Sequence, residues 1–460
     1  METIEFEEIL IQDLADSKYV DKNVRLRGFV LTMRKGKKNS FIELKYGTAQ
    51  VQVIVFTKLV EDVTIQSYVE IDGLVRLLPQ GVYSSLPVEI HCSKLQIHSL
   101  ADIKYMSECP PESGNEIKLE KRHLYLRDPY FVLITRIRSQ LVQAIRKHFE
   151  SSDCQEIIPP CFTGVEAESG ASLFSLKHPG KSTDKPLTAY LTQSSQFSLE
   201  MALPGVGDCY CIAPSFRAEN SHTRRHLTEF LHAEAEWGGI MKFSQHLDKL
   251  RDLVQGILKH FIQLAGNTLQ QLDKFEQSQK RTSNKYQRAL DLYEQSKDIL
   301  ILEHKDAVAE CTKRGIFSDH EGTPFGERDD IPEAQERALI DAIGKIVFLV
   351  KFPKEFKSFY MALDPEDQSR VLGCDVEVPG VGEIIGSGVR EADYNRLHER
   401  LLDSGLKPED YSEYLDLRKY GFGFTSGMGL GVDRMLVWLL GLHSIREVTT
   451  FPRFPGYLRP

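Results

Sequence analysis

Fifteen residues, Phe216 to Phe230, place three arginines, two histidines and two glutamates between two aromatics (FRAENSHTRRHLTEF). Arg217 and Arg225 can each hold phosphate oxygens through paired donors, and His226 adds another donor. Phe230 offers a flat face to a base. Glu219 can accept from an exocyclic amino group or order the loop. Far downstream, Gly427-Met-Gly-Leu-Gly-Val-Asp-Arg434 reads as a glycine-rich strand ending on an arginine. A base could lie between Phe230 and the Arg434 guanidinium, the glycines allowing close approach. There is no GxxxxGK[ST] loop, and no GxGxxG joins an early strand to a helix. A bound nucleotide is therefore expected to be gripped by arginine side chains and not by a backbone nest.

Asp375 and Glu383 flank a Pro-Gly turn in DVEVPGVGE. Two carboxylates so placed could share Mg²⁺ with nucleotide phosphates, since Mg²⁺ takes one or two carboxylates beside phosphate and water. A solvated hairpin with acidic edges is the plainer alternative. Arg390 lies close behind, either as a structural partner of those acids or as a substrate clamp.

These residues need a large scaffold. The chain has 460 residues, 41% apolar and 27% charged, with a formal net charge of −9. That describes two or three ordinary globular domains and excludes a uniformly basic nucleic-acid glove. Residues 21–45 are locally basic, with eight Lys/Arg against Asp21 and Glu43. Such a face suits a polyanion, although charge alone favours a solvated strand edge. The eight cysteines include no CxxC and no zinc spacing. The acidic start and the lack of a long apolar run point to a cytoplasmic chain with no membrane segment.

NVRLRGFVLTM, SFIELKY, AQVQVIVF, SYVEIDGLVRLL and PVEIHCSKLQIHSL alternate or are β-branched, so residues 23–98 read as strands. Five short strands in that space predict a small oligonucleotide-binding (OB) type barrel. SECPPESGNE is the best break after it. A helix is expected over 131–149, then a strand in DCQEIIPPCF, then an amphipathic helix over 240–264. The Gln/Lys/Glu-rich stretch 266–330 reads as a helical insertion. VFLVKFP, SFYMALD, CDVEVPG and VGEIIGSG follow as strands, then a helix from Glu391 to Leu402. The strand FTSGMGLG leads into the helix VDRMLVWLLGL. The fold class is α+β with an antiparallel sheet.

The two arginine blocks resemble motifs 2 and 3 of class II aminoacyl-tRNA synthetases. The helix leading to EIIPP resembles motif 1, which in that family lies at a homodimer interface; here that is residues 132–162. The barrel and Arg122-His-Leu-Tyr-Leu-Arg127 resemble the subgroup for aspartate, asparagine and lysine. GEIIGSGVR, DIPEAQER, FPKEFKSFYM, LDLRKYG and PRFPGYLRP are similar to eukaryotic-type asparaginyl enzymes. The resemblance implies an OB-fold anticodon-binding domain at 1–100, a hinge at 101–125 and a catalytic domain at 126–460. It also implies an ATP- and Mg²⁺-dependent ligase that joins asparagine to tRNA(Asn) through an adenylate, with Arg217 and Arg434 stabilising charge.

By the same resemblance, Glu168 and Gln196 take the substrate α-amino group. Leu199 stands where aspartyl enzymes place a lysine. Glu234 would accept from the side-chain amide nitrogen, and Arg390 would donate to the amide oxygen. In the barrel, Phe41 would stack an anticodon base, Gln52 would hydrogen-bond one, and Arg34 would contact the stem-loop. Some positions depart from the pattern. Phe424 and Thr425 stand where relatives carry Pro-His, so no histidine contact is expected there. Ala167 and Gly386 replace serines of aspartyl relatives. The N-terminal extension of cytosolic eukaryotic relatives is not expected. The alternatives are an aspartyl enzyme, possibly non-discriminating; a tRNA-independent asparagine synthetase, which the barrel opposes; and a catalytically silent tRNA-binding relative, which intact Arg217, Glu383 and Arg434 oppose.

Overall fold

A computed structural model describes residues 5–78, 86–166, 173–180, 187–221, 223–319 and 321–458. Ala167 and Glu168, both singled out above, lie outside the described residues. The chain divides into two compact units, Met1–Leu133 and Ile134–Pro460.

Period-two alternation builds the first unit. Its strands are β1 (Glu7–Glu8), β2 (Asn23–Arg34), β3 (Asn39–Tyr46), β4 (Ala49–Phe56), β5 (Tyr68–Leu77) and β6 (Val88–Ser99). They pair in the order β1-β2-β3-β4-β6-β5, and β5 returns to β2 to close the barrel. Closure leaves β2 to β6 without a free edge. Val24, Leu26, Ile42, Leu44, Val53 and Ile71 point inward to the core. Arg25 and Arg27 point outward and pair with Asp72 (2.7 Å) and Glu70 (2.7 Å) of β5. Lys45 is buried and donates to the Arg127 carbonyl at 2.9 Å. Part of the local excess of positive charge is thus consumed within the unit. The five expected strands are all present.

The second unit is built on a sheet in the order β13-β14-β15-β16-β17-β12-β11-β7. Its strands are β7 (Gln155–Glu156), β11 (Cys209–Phe216), β12 (Glu229–Gly238), β13 (Leu300–Glu303), β14 (Val347–Val350), β15 (Gly373–Val378), β16 (Gly382–Val389) and β17 (Thr425–Gly431). From β14 to β11 the strands run antiparallel, while the outer pairs β13–β14 and β11–β7 are parallel. The sheet is therefore mixed, antiparallel only in its centre. A separate small sheet pairs β8 (Phe162–Thr163), β10 (Leu187–Leu191) and β9 (Ser175–His178). Helices Gln196–Val206 and Val432–Leu440 pack on the strands that carry the two arginine blocks.

Three expectations change. The amphipathic helix runs from Phe243 to Ser278, because its apolar stripe continues through Leu269 and Leu272. A boundary at 266 thus falls inside one helix. Within the supposed insertion, β13 joins the central sheet beside β14, so the stretch 266–330 contributes to the catalytic sheet. SFYMALD forms no strand. Met361 and Leu363 make only isolated bridges, to Arg390 and Val371, while Phe359, Tyr360 and Met361 are buried as core side chains. Among the described residues, no helix is long and apolar enough to cross a membrane.

Candidate active site

The site lies on one face of the central sheet, and glycines make it possible. On β12, His232, Glu234 and Glu236 alternate with the buried Ala233, Ala235 and Trp237. Across the ladder, Glu236 faces Gly427, Glu234 faces Gly429, and His232 faces Gly431. A Cβ at Gly427 would sit 1.9 Å from Glu236 Oε1 and 2.4 Å from Arg390 Nη2, and one at Gly429 would sit 2.4 Å from His232 Nε2. The glycine block is bare so that β12's polar side chains can lie across β17.

All seven residues expected to hold the nucleotide line one cavity of about 70 Å³: Arg217, Glu219, Arg225, His226, Phe230, Glu383 and Arg434. The Arg217 guanidinium lies 5.4 Å from the Phe230 ring centre. Arg434 Nη1 donates to the Glu383 carbonyl at 3.1 Å and approaches its carboxylate at 3.4 Å. Arg225 Nη1 pairs with Glu333 at 2.5 Å. His226 Nδ1 lies 3.1 Å from Ser221 Oγ and 2.5 Å from Thr223 Oγ1. Burial and then Arg434 hold the His226 pKa below the ordinary histidine value, so the ring is neutral at pH 7.

A second cleft of about 270 Å³ adjoins it and is lined by Gln196, Glu234, Glu236, Lys357, Asp375 and Arg390 among others. The two cavities share Arg217, His232, Glu383 and Gly429. Glu234 accepts from the Ser195 backbone N–H at 2.8 Å and from the Ser194 hydroxyl at 2.5 Å. Arg390 donates from Nη2 and Nε to the two oxygens of Glu236, the latter at 3.2 Å.

The acids differ in charge state. Glu383 is pushed up by burial, but Arg434, Lys357, Arg217 and Arg225 outweigh that and hold it below the ordinary glutamate value. It is an ionised carboxylate on the wall shared by the two cavities, the kind of group that fits a divalent cation shared with phosphates. Asp375 is paired with the half-buried Lys357, and burial still pushes it up to about 6. Lys357 thus holds the second expected carboxylate. Among the described residues, no three His, Cys, Asp or Glu side chains gather as a metal cage.

One expectation is corrected. Leu199 does not line the cleft; it is fully buried with Leu203, Cys209 and Cys211. On the helix Gln196–Val206 it packs down onto Cys209 and Cys211 of β11, which sit beside Glu236 and Glu234 across the ladder. Sequence reasoning missed Glu236, Lys357 and Glu200. Glu236 was within reach, because it follows Glu234 at strand period and faces a glycine. Glu200 and Lys357 gave no local signal.

In the first unit, Phe41 is 38% exposed between the inward Ser40 and Ile42. The Arg34 guanidinium lies 6.0 Å from its ring centre. Gln52 Nε2 donates to Glu89 at 2.9 Å, and Glu89 also contacts His91 at 2.9 Å. Phe41 is therefore a surface aromatic beside a cation and not a core residue.

Known proteins resemble this chain along nearly its whole length. The profile of class II tRNA synthetases (D, K and N) matches residues 114–455, and that of the OB-fold nucleic acid binding domain matches 24–97. The cytoplasmic asparagine–tRNA ligase of Debaryomyces hansenii is 33% identical over 452 residues, covering 96% of this chain and 77% of that protein. The asparagine–tRNA ligase of Thermococcus kodakarensis is 35% identical over 454 residues, covering 95% and 96%. The crystal structure of asparaginyl-tRNA synthetase from Pyrococcus horikoshii, complexed with asparaginyl-adenylate, superposes with a TM-score of 0.86 at 31% identity. It covers 99% of this chain and 100% of that one.

Proposed function

Because the chain belongs to the class II tRNA synthetases of the D, K and N group, we propose that it is an asparagine–tRNA ligase. The observation that carries this is the junction of the two cavities at Arg217 and Glu383. A nucleotide in one and an amino acid in the other would meet there, at the α-phosphate. The asparagine α-carboxylate attacks the α-phosphorus of ATP, forming asparaginyl-adenylate and releasing pyrophosphate. The terminal ribose hydroxyl of tRNA(Asn) then attacks the acyl carbon and AMP leaves.

Arg217 holds the α-phosphate and the incoming carboxylate and stabilises the charge of the pentavalent transition state. Phe230 and Arg434 enclose the adenine, Glu219 accepts from its amino group, and Arg225 and His226 take the leaving phosphates. Gln196, with Glu168, receives the α-ammonium. Glu234 accepts from the substrate amide nitrogen, and a remaining Arg390 N–H donates to its oxygen. Glu383 would hold Mg²⁺, with Asp375 joining only if its Lys357 pair opens. The ion would neutralise phosphate charge.

The barrel binds the anticodon through Arg34, Phe41 and Gln52. The protein works in the cytoplasm as a homodimer. ATP–pyrophosphate exchange with asparagine, aspartate and lysine in parallel tests the assignment. Exchange is expected with asparagine; a preference for either other amino acid would overturn it.

A further inference from the structure

Beneath the amino-acid cleft lies a buried polar network whose central residue has been given no role above. Its centre is Glu200, which is fully buried. Glu200 accepts from Arg418 Nη2 at 2.6 Å, from the Tyr414 hydroxyl at 2.8 and 2.9 Å, and from Gln196 Nε2 at 2.8 Å. Its Oε1 also lies 3.8 Å from Arg390 Nε. Arg418 Nη2 reaches the Tyr414 hydroxyl at 3.0 Å, and its Nε donates to the Glu391 carbonyl at 3.0 Å. Tyr414 and Arg418 come from the helix Ser412–Lys419, while Glu200 and Gln196 come from Gln196–Val206.

We propose that Glu200 is a specificity-determining positioning residue that sets the charge of the amino-acid cleft against aspartate. This rests on reading the cleft as the asparagine site. Two consequences of the geometry carry it.

The first concerns Gln196. An ionised carboxylate only accepts hydrogen bonds, so the Gln196 atom facing Glu200 must be the amide nitrogen. That fixes the amide and leaves its oxygen as the end available to the substrate ammonium. The second concerns Arg390. Its guanidinium is bracketed by Glu236 on two donors and by Glu200 at 3.8 Å. Burial pushes the Glu236 carboxyl upward and Arg390 opposes this, yet two oxygens accepting from one guanidinium is the geometry of the ionised form.

Arg390 and Arg418 against Glu200 and Glu236 make a neutral group, and Glu234 on the cleft wall brings the total to one negative charge. An amide side chain enters such a site without charge conflict. A carboxylate finds Arg390 already answered by Glu236 and Glu200, and Lys357 by Asp375, and in a dry site that repulsion is weakly screened. The selective element is thus the pair of acids that cancels Arg390.

The test is the ratio of kcat/KM for aspartate over asparagine in pyrophosphate exchange, in the full-length enzyme. Glu200→Gln keeps an acceptor for Arg418 and Tyr414 but leaves the group one charge more positive. The ratio should rise at least about tenfold. Adding Arg418→Gln restores the charge and should bring the ratio back toward wild type, a rescue that a packing role would not give. ATP binding and thermal melting report the fold independently. A folded Glu200→Gln enzyme with an unchanged ratio overturns the proposal, as does a raised ratio that Arg418→Gln fails to lower. Should Glu200→Gln not fold, Glu236→Gln removes the other bracketing charge and must raise the ratio; no rise again overturns it. A wild type that does not activate asparagine would instead overturn the assignment of the enzyme.

Discussion

Arg217 is the residue on which the two cavities turn. Its guanidinium lies over Phe230 and lines both the nucleotide cavity and the amino-acid cleft. Arg217→Ala is expected to lower pyrophosphate exchange by about a hundredfold or more, the scale of one lost transition-state donor. Near-normal exchange would remove it from the chemistry. Phe41 makes the contrasting case. It sits outward on β3 beside Arg34, so Phe41→Ala should weaken tRNA charging by about 1–3 kcal/mol, one stacked base's worth. Exchange without tRNA should stay unchanged, and an equal fall in both would make Phe41 a structural residue. Arg217 stood out in the sequence because it belongs to a dense local cluster of charge, whereas Phe41 was expected to act only through the family resemblance. Leu199 was not legible in the sequence. Its position in the motif suggested a pocket residue, but its side chain stands about 100° around the helix from that of Glu200 and packs into the apolar cluster with Cys209 and Cys211. Glu200, beside it, is the member of that pair that faces the substrate machinery.

Single elements deliver several site groups at once. The strand β17 does so by omission, since Gly427 gives its space to Glu236 and Arg390. Gly427→Ala would drive a methyl into that pair. It should raise the KM for asparagine at least about tenfold while leaving ATP affinity nearly intact, and equal losses for both substrates would argue for general misfolding. The helix Glu333–Ile343 delivers two acids three residues apart on one face, Glu333 to Arg225 and Glu336 toward Asp375, Glu377 and Glu383. Burial, then Asp375 and Glu383, push Glu336 up to about 8. The folded state therefore keeps a proton that an unfolded glutamate releases near pH 4.5. Stability from this group is complete below that pH and declines as pH rises toward about 8. Glu336→Gln should flatten the fall of melting temperature across that window, and an unaltered slope would show that Glu336 is not the group responsible. Elements with clean alternation or a long apolar stripe could be read from the sequence. SFYMALD could not, because its apolar run serves burial without a ladder partner, and β13 is too short to stand out from its charged surroundings.

At the scale of the whole molecule, the open question is what covers the outer edge of the central sheet. Among the described residues that edge is β7, two residues long and paired on one side with β11. Just beyond it Ile158 is 93% exposed, and Met201 and Val206 on the helix Gln196–Val206 are 42% and 44% exposed. An unpaired strand edge followed by a bare isoleucine is an unfavourable surface for an isolated chain. It is a natural place for a second copy to pair about a twofold axis, since such a contact is self-complementary. Residues 132–162 were expected at a dimer interface by resemblance alone, and the exposed Ile158 now gives that expectation a physical reason. Pro159 and Pro160 follow at once and stop the strand, which limits pairing to one short register and disfavours open-ended stacking. Ile158→Asp should place two carboxylates face to face across the axis. Sedimentation at micromolar concentration should then show monomer where the wild type shows dimer, with the melting temperature lowered and dependent on protein concentration in the wild type only. A wild type that sediments as a monomer, or an Ile158→Asp protein that remains dimeric, would move the interface away from this edge.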